Sequence, residues 1–160
     1  MRLVTRSVSE TKELGAMIAR SLKPSDIVAL FGELGSGKTV LVKGIAEALG
    51  IKSDRVVSPT FVLIREYKAK IPLYHFDLYR LKKINIQSLG FDEYFYGNGI
   101  SVIEWADRIE WQLPKGSLRI KISIIDKNKR LFTIKKPALS GFSRYRRNNQ
   151  AGNKLGDVKQ

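Results

Sequence analysis

The sequence predicts an α/β domain built on a mainly parallel sheet, with helices on both faces and antiparallel hairpin additions. Three observations carry this. Short apolar runs of strand length alternate with segments whose apolar residues recur at helical spacing. A glycine-rich stretch, "GELGSGKT" at residues 32–39, stands directly between one such run and one such helix. Later strand-like segments follow one another after only a few residues, which suits antiparallel hairpins.

The elements can be justified in order. "RLVT" near the start reads as a short strand. Ser7 and Glu10 have capping-box spacing ahead of Leu14, Ile18 and Leu22, which share one helical face and predict a helix over about residues 9–22. "KPSD" breaks the chain before Ile27, Val28, Ala29, Leu30 and Phe31, a run suited to a strand buried on both faces. A second helix starts within the glycine loop and runs to about Leu49, with Gly50 as its C-terminal cap. "FVLIREY" and "PLYHFDLY" predict two antiparallel strands joined through "KAKI". "IQSLGFDEYFY" has a helical pattern, and "GISVIEW" reads as another buried strand. "LRIKISII" alternates Leu118, Ile120, Ile122 and Ile124 with polar residues, as a half-exposed strand does. After "KNKR" a last strand, "LFTIK", pairs back on it.

Length and composition bound what such a domain can be. The 160 residues suffice for one compact domain, expected over residues 1–136, and not for two nucleotide-binding domains. Residues 137–160 are poor in apolar side chains and lack periodicity, so they are expected to form a basic, disordered tail. No apolar run is long enough to cross a bilayer and the first ten residues lack the apolar core of a secretory signal, which predicts a cytoplasmic protein without a membrane partner. The absence of cysteine excludes disulfides, thiolate metal sites and cysteine nucleophiles. The net charge of +14 favours contact with polyanions, against the blander reading of a solvated basic surface; the tail holds four of those charges (five Lys and Arg less Asp157), so +10 belongs to the rest.

The glycine-rich stretch carries the chemistry. Gly32, Glu33, Leu34, Gly35, Ser36, Gly37, Lys38 and Thr39 match GxxxxGK[ST], the Walker A phosphate loop, in its proper strand-to-helix context. Glycines let such a loop wind tightly enough for backbone N–H groups to face phosphate oxygens, and the helix N-terminus adds its positive end. Lys38 offers a charge for the terminal phosphates, and the Thr39 hydroxyl is a magnesium ligand. The fold expected is therefore P-loop NTPase-like.

Such a loop needs an acid at the end of a neighbouring strand. Two are available, Asp77 after "PLYHF" and Glu104 after "ISVI". The run before Glu104 is the more uniformly apolar, as befits a central strand beside the loop, so Glu104 is assigned to magnesium. Asp77 is assigned to the γ-phosphate side as metal or water positioner; for each, a solvated strand-end carboxylate is the alternative. Thr60 in "SPTF" lies where nucleotide switches sense the γ-phosphate, or else caps its own turn. The single histidine, His75, reads as a hydrogen-bonded structural residue rather than a base, and Trp105 as packing.

"GELGSGKT", "SPTF", "YHFDLYR" and "IEWADR", in this order and at these separations, resemble the TsaE family, formerly YjeE, from the N-terminal helix to about Lys136. The resemblance implies a weak, magnesium-dependent P-loop ATPase that binds ATP or ADP and is activated by partners. It implies work with TsaD and TsaB in threonylcarbamoyladenosine modification of tRNA beside the anticodon, resetting the complex between rounds. It also implies loop ligands from Glu33 to Thr39, magnesium ligands at Thr39 and Glu104, functional Asp77 and Thr60, and Ser9, Thr11 and Asp107 near the nucleotide. Direct contact of the tail with tRNA stays open.

Three other classes compete. A small-molecule P-loop kinase would close a lid with arginines, for which Arg65, Arg80 and Arg108 are available, but no lid-length insertion is evident. A GTPase lacks its guanine-reading NKxD pattern, since Leu131 stands where the acid belongs. A non-catalytic RNA-binding module would account for the charge and leave the phosphate loop unexplained.

Overall fold

A computed structural model describes residues 1–82 and 86–136. The predicted tail lies outside the described residues. One seven-stranded sheet runs in the order β1-β7-β6-β2-β5-β4-β3. Its strands are β1 (Arg2–Thr5), β2 (Ile27–Phe31), β3 (Ile64–Tyr67), β4 (Leu73–Asp77), β5 (Ile100–Glu104), β6 (Leu118–Ile124) and β7 (Arg130–Lys135). The central strands β6, β2, β5 and β4 are parallel, while the pairs β1/β7, β6/β7 and β3/β4 are antiparallel. Both predicted hairpins are present, and the "ISVIE" strand lies directly beside β2.

One face of the sheet packs against α1 (Val8–Ala19) and α2 (Lys38–Ala48). Leu14, Ile18, Leu41, Val42 and Ile45 are buried there over Val28, Leu30, Val102 and Ile120. The helices approach closely because Gly15 and Gly44 meet across the contact; a Cβ on Gly44 would lie 2.1 Å from the Lys12 carbonyl oxygen. Ser7 caps α1 by accepting from the Glu10 N–H, while the Glu10 carboxylate accepts from the N–H of Arg6 rather than of Ser7. The helix is shorter than its apolar spacing predicts. After Ala19 the chain tightens to i→i−3 bonds, Ser21 N to Ile18 O and Leu22 N to Ala19 O, and Leu22 is buried from that turn. At the far end of α2, Ile51 N donates to Ala46 O and Gly50 N to Glu47 O, with Gly50 at φ 83°. This is a Schellman cap, at the glycine expected to provide one.

The other face is covered by less regular structure, so helices of full length lie on one face only. Phe76, Leu78, Ile103 and Ala29 pack there against Phe91, Phe95, Ala106 and Ile109. The helix expected over residues 86–96 is two pieces, a 3-10 turn at Ile86–Leu89 and the single-turn α3 (Asp92–Phe95). Gly90, at φ 68°, separates them, and the edge-on contact of Phe91 with Phe76, at 5.0 Å between centroids, turns the second piece into the core. A 3-10 segment, Ala106–Gln112, follows β5 with a kink at Ile109. Strand β3 also begins later than "FVLIREY" suggests: the Pro59 carbonyl accepts from both Val62 N and Leu63 N, holding Phe61 and Val62 exposed in a turn. Among the described residues no helix is long and apolar enough to cross a membrane.

Candidate nucleotide site

The parallel strands end together, and the candidate residues collect at that end. β2 delivers the glycine loop, β5 delivers Glu104 and β4 delivers Asp77; Leu30 pairs with Glu104 and Glu104 with Asp77. Along β4 and β5, Leu73, Ile100 and Val102 face α1 and α2, and strand alternation puts His75, Asp77 and Glu104 on that same face. All three are buried. The polar residues of β4, His75 and Asp77, are thus turned into the protein.

Gly35 and Gly37 adopt left-handed backbone, φ 76° and 100°, which side-chain-bearing residues resist. Gly37 is the N-cap of α2, with no side-chain cap, so the first-turn N–H groups of an eleven-residue helix remain for a ligand. Ser36 is fully buried beneath the loop. The Lys38 ammonium is also buried and folds back over the loop, donating to Gly32 O at 2.7 Å and Glu33 O at 2.9 Å. Its other face sits 3.9 Å from the Trp105 ring centroid. Burial pushes the Lys38 pKa down, against the opposing pull of Glu104, Asp77, Asp107 and Glu33. A buried cation held by neutral carbonyls and a ring, at a helix N-terminus, fits a polyanionic phosphate group.

Beside it, the Thr39 hydroxyl donates to Glu104 Oε1 at 2.8 Å, so the two predicted magnesium ligands are in contact. His75 Nε2 meets the same oxygen at 2.8 Å. Its Nδ1 is buried without a hydrogen-bond partner, so the ring's polar contact runs through Nε2, which donates to the carboxylate. The histidine is thus structural, as its sequence context suggested, and what it supports is the candidate metal ligand. An oxygen pair of this kind, hydroxyl plus carboxylate, suits a hard ion such as magnesium.

Asp77 gathers the SPTF segment. Ser58 and Thr60 both donate to its Oδ2, Thr60 at 2.6 Å, and Tyr79 N donates to Oδ1 at 2.9 Å. Each hydroxyl has one proton, so the 2.9 Å separation of Ser58 from Thr60 is a packing contact while both serve Asp77. Sequence reasoning singled out Thr60 and missed Ser58, although both belong to the same motif.

The remaining predicted residues are less concentrated. Asp107 is exposed but within electrostatic reach of Lys38. Leu34 is 74% exposed at the loop's outer edge, and Glu33 is exposed beside it. Thr11 is buried and engages Thr5 Oγ1 at 2.8 Å and Ser7 O at 3.1 Å, and Ser9 is exposed on the first turn of α1. Trp105, read as packing, is part of the site through Lys38, and its backbone at φ 59° makes the sharp exit from β5. Arg130 was not foreseen. From β7 it donates from Nε to Ser36 O at 3.2 Å and from Nη2 to Gly35 O at 3.3 Å, while Nη1 donates to carbonyls of its own hairpin turn. No local pattern marks an arginine that acts 94 residues from its partner in sequence.

Comparison with known proteins agrees with this arrangement. A model of the family described as threonylcarbamoyl adenosine biosynthesis protein TsaE matches residues 5–132. The tRNA threonylcarbamoyladenosine biosynthesis protein TsaE of Bacillus subtilis strain 168 is 45% identical over 132 residues, covering 81% of this chain and 82% of that protein. The protein of the same name from Treponema pallidum is 38% identical over 135 residues, 84% of this chain and 99% of its own. The crystal structure of YdiB from Bacillus subtilis superposes with a TM-score of 0.74 at 38% identity, covering 94% of this chain and 92% of that one. With the family model spanning most of its length and the loop, SPTF and strand-end acids assembled at one site, the chain belongs to the TsaE family.

Proposed function

We propose that this protein serves tRNA threonylcarbamoyladenosine biosynthesis as a magnesium-dependent ATP-binding and ATP-hydrolysing accessory, acting in the cytoplasm with TsaD and TsaB to permit repeated rounds. The names of its relatives support the pathway. The observation that carries the nucleotide role is the buried Lys38 ammonium, folded over the phosphate loop beside the Thr39–Glu104 pair. Bound magnesium-ATP would supply the scissile phosphoanhydride and the divalent charge that offsets its phosphates.

The chain's own residues have separable tasks. The loop from Glu33 to Thr39 and the N-terminus of α2 hold phosphates; Lys38 exchanges carbonyl contacts for phosphate oxygens. Thr39 and Glu104 hold the metal, with His75 fixing the carboxylate from behind. Asp77 tethers Ser58 and Thr60, so the segment that senses the terminal phosphate is anchored beside the metal ligand. Water orientation and charge stabilisation by these groups alone give slow turnover, and a partner completes the site.

The test is the rate of ADP release from magnesium-ATP, by the protein alone and with TsaD and TsaB of the same source. Slow turnover that rises in the complex and sustains multiple rounds of tRNA modification is the expected result. Partners without effect, together with phosphorylation of a small-molecule acceptor in step with ADP release, would replace this reading with a kinase.

A further inference from the structure

We propose that a cleft between the C-terminal end of α2 and the edge strand β3 binds an RNA phosphodiester backbone. The cleft has a volume of about 380 Å³ and is lined in part by Lys52, Arg55, Tyr67 and Lys68. It shares no residue with the phosphate loop, Asp77 or Glu104. The choice of RNA over another polyanion rests on the role in tRNA modification proposed above; the site itself rests on the following.

The cations of the cleft outnumber its acids. Lys52, Arg55 and Lys68 are exposed, and none forms an ion pair with a described residue. Of the nearby carboxylates, Glu47 pairs with Lys12 at 3.0 Å, Glu66 lines the cleft and accepts from the neutral Tyr94 hydroxyl at 2.9 Å, and the exposed Asp54 stands between Lys52 and Arg55 in sequence without lining the cleft. The three cations outnumber the one lining carboxylate, Glu66, and a cleft with such a surplus concentrates field that attracts a polyanion. The Schellman bonds from Gly50 and Ile51 satisfy Ala46 and Glu47 carbonyls, so the negative end of α2 is muted where it borders the cleft. Tyr67 adds an aromatic wall. Basic side chains interleaved with an aromatic suit nucleotides, which offer both phosphates and bases, better than an acidic peptide. The +10 charge of residues 1–136 would draw the same ligand.

The experiment uses the unaltered full chain and an unmodified tRNA transcript. Lysines are acetylated briefly with and without tRNA, and each site is quantified by mass spectrometry. Lys52 and Lys68 should be protected at least fivefold, while the exposed controls Lys23 and Lys115 are not. In parallel, tRNA affinity is measured across salt for Lys52→Gln/Arg55→Gln/Lys68→Gln and for the matched control Arg20→Gln/Lys23→Gln/Lys115→Gln. The cleft variant should lose at least tenfold more affinity than the control, and its log K against log salt slope should flatten by about 2, at roughly 0.7 to 0.9 per phosphate contact. Equal protection of all four lysines, equal loss in both variants, absence of tRNA binding, or protection by TsaD and TsaB instead of tRNA would each overturn the proposal. Partner-stimulated ADP release is read separately, so the cleft can fail while the ATPase reading stands, and the reverse.

Discussion

Asp77 and Glu104 occupy the same rung of the sheet, paired across parallel strands β4 and β5. Two buried carboxylates side by side would repel, yet each has its own donors: Ser58, Thr60 and Tyr79 N for Asp77, and Thr39 and His75 for Glu104. Lys38 lies within electrostatic reach of both. The rung therefore joins two clusters through one backbone pairing: the β5 acid tied to Thr39 at the start of α2, and the β4 acid tied to the SPTF turn.

Because Glu104 accepts from both Thr39 and His75, its removal has two separable effects. Glu104→Ala should abolish most of the magnesium-dependent gain in ATP affinity while sparing magnesium-free binding, as calorimetry with and without the ion would show. It should also lower stability without nucleotide by about 1–3 kcal/mol, the usual cost of a buried donor left unpaired, measured by urea unfolding. Unchanged magnesium dependence would remove Glu104 from the metal site.

Asp77→Ala should act on turnover instead. The residue's hydrogen bonds go to Ser58, Thr60 and Tyr79 and not to the loop, so ATP affinity stays within about threefold; hydrolysis falls by tenfold or more, the ordinary range for a lost positioning group. Freed from their acceptor, Ser58 and Thr60 release the turn, and amide exchange around residues 58–63 should accelerate. Normal partner-stimulated turnover in this variant would exclude Asp77 from the mechanism.

The sequence made the strand-end geometry legible because the relevant signals are local. Apolar runs located β2, β4 and β5, and the loop motif needed only its flanks; both acids follow directly from where those runs end. What it hid depended on partners distant in the chain. His75 looked isolated in "LYHFD" until β4 lay beside β5, and Trp105 looked like packing until the exit from β5 set its ring against Lys38. The aromatic segment 86–96 carried a helical period, but Gly90 and the pull of Phe91 and Phe95 into the core broke it. The bond of the Thr11 hydroxyl to Thr5, which ties α1 to β1, likewise joins elements that no local pattern pairs.

Lys38 gives a pH signature in the nucleotide-free protein. Burial lowers its pKa below the usual 10.5, so between the lowered value and 10.5 the unfolded chain binds more protons than the folded one. Stability contributed by this group then rises with pH through that window and is least below it. Urea unfolding across pH 8 to 10.5 should show the native chain gaining on Lys38→Met as pH increases. Saturating ATP should reverse the ranking at neutral pH, since Lys38→Met and Lys38→Ala lose affinity for triphosphate. A constant difference across the window would mean that the ammonium is solvated.

Gly44 tests the packing behind the loop. Glycine inside a helix is ordinarily a liability relative to alanine by about 1 kcal/mol, so Gly44→Ala would stabilise an isolated α2. In the fold a Cβ there would lie 2.1 Å from Lys12 O and 2.7 Å from Lys12 Cα, both backbone atoms of α1. The helices must separate, and overpacking of this kind costs about 1–3 kcal/mol. Thermal unfolding of Gly44→Ala should therefore show a lowered Tm, against the direction that helix propensity gives.

Arg130 supplies the clearest case of long-range support for the phosphate loop. Its guanidinium spans the carbonyls of Gly35 and Ser36 on one side and those of Asp126, Lys127 and Lys129 on the other. Gly35 and Gly37 hold left-handed conformations with open space where a Cβ would stand, so packing against side chains does not restrain the loop there. The arginine does so from outside, by clamping two loop carbonyls to the β6–β7 turn. Arg130→Ala should leave the core intact and shift Tm little, since the side chain is partly exposed. It should also weaken ATP binding by about tenfold, the equivalent of one hydrogen bond to a charged group at the low end of its range. Lysine cannot span both carbonyl sets, because it offers a point charge rather than a planar fork, so Arg130→Lys should recover little of the loss. Amide exchange of residues 33–37, faster in Arg130→Ala without nucleotide, would trace the weakened binding to the released loop; unchanged exchange would instead assign the loss to a contact between Arg130 and the nucleotide itself.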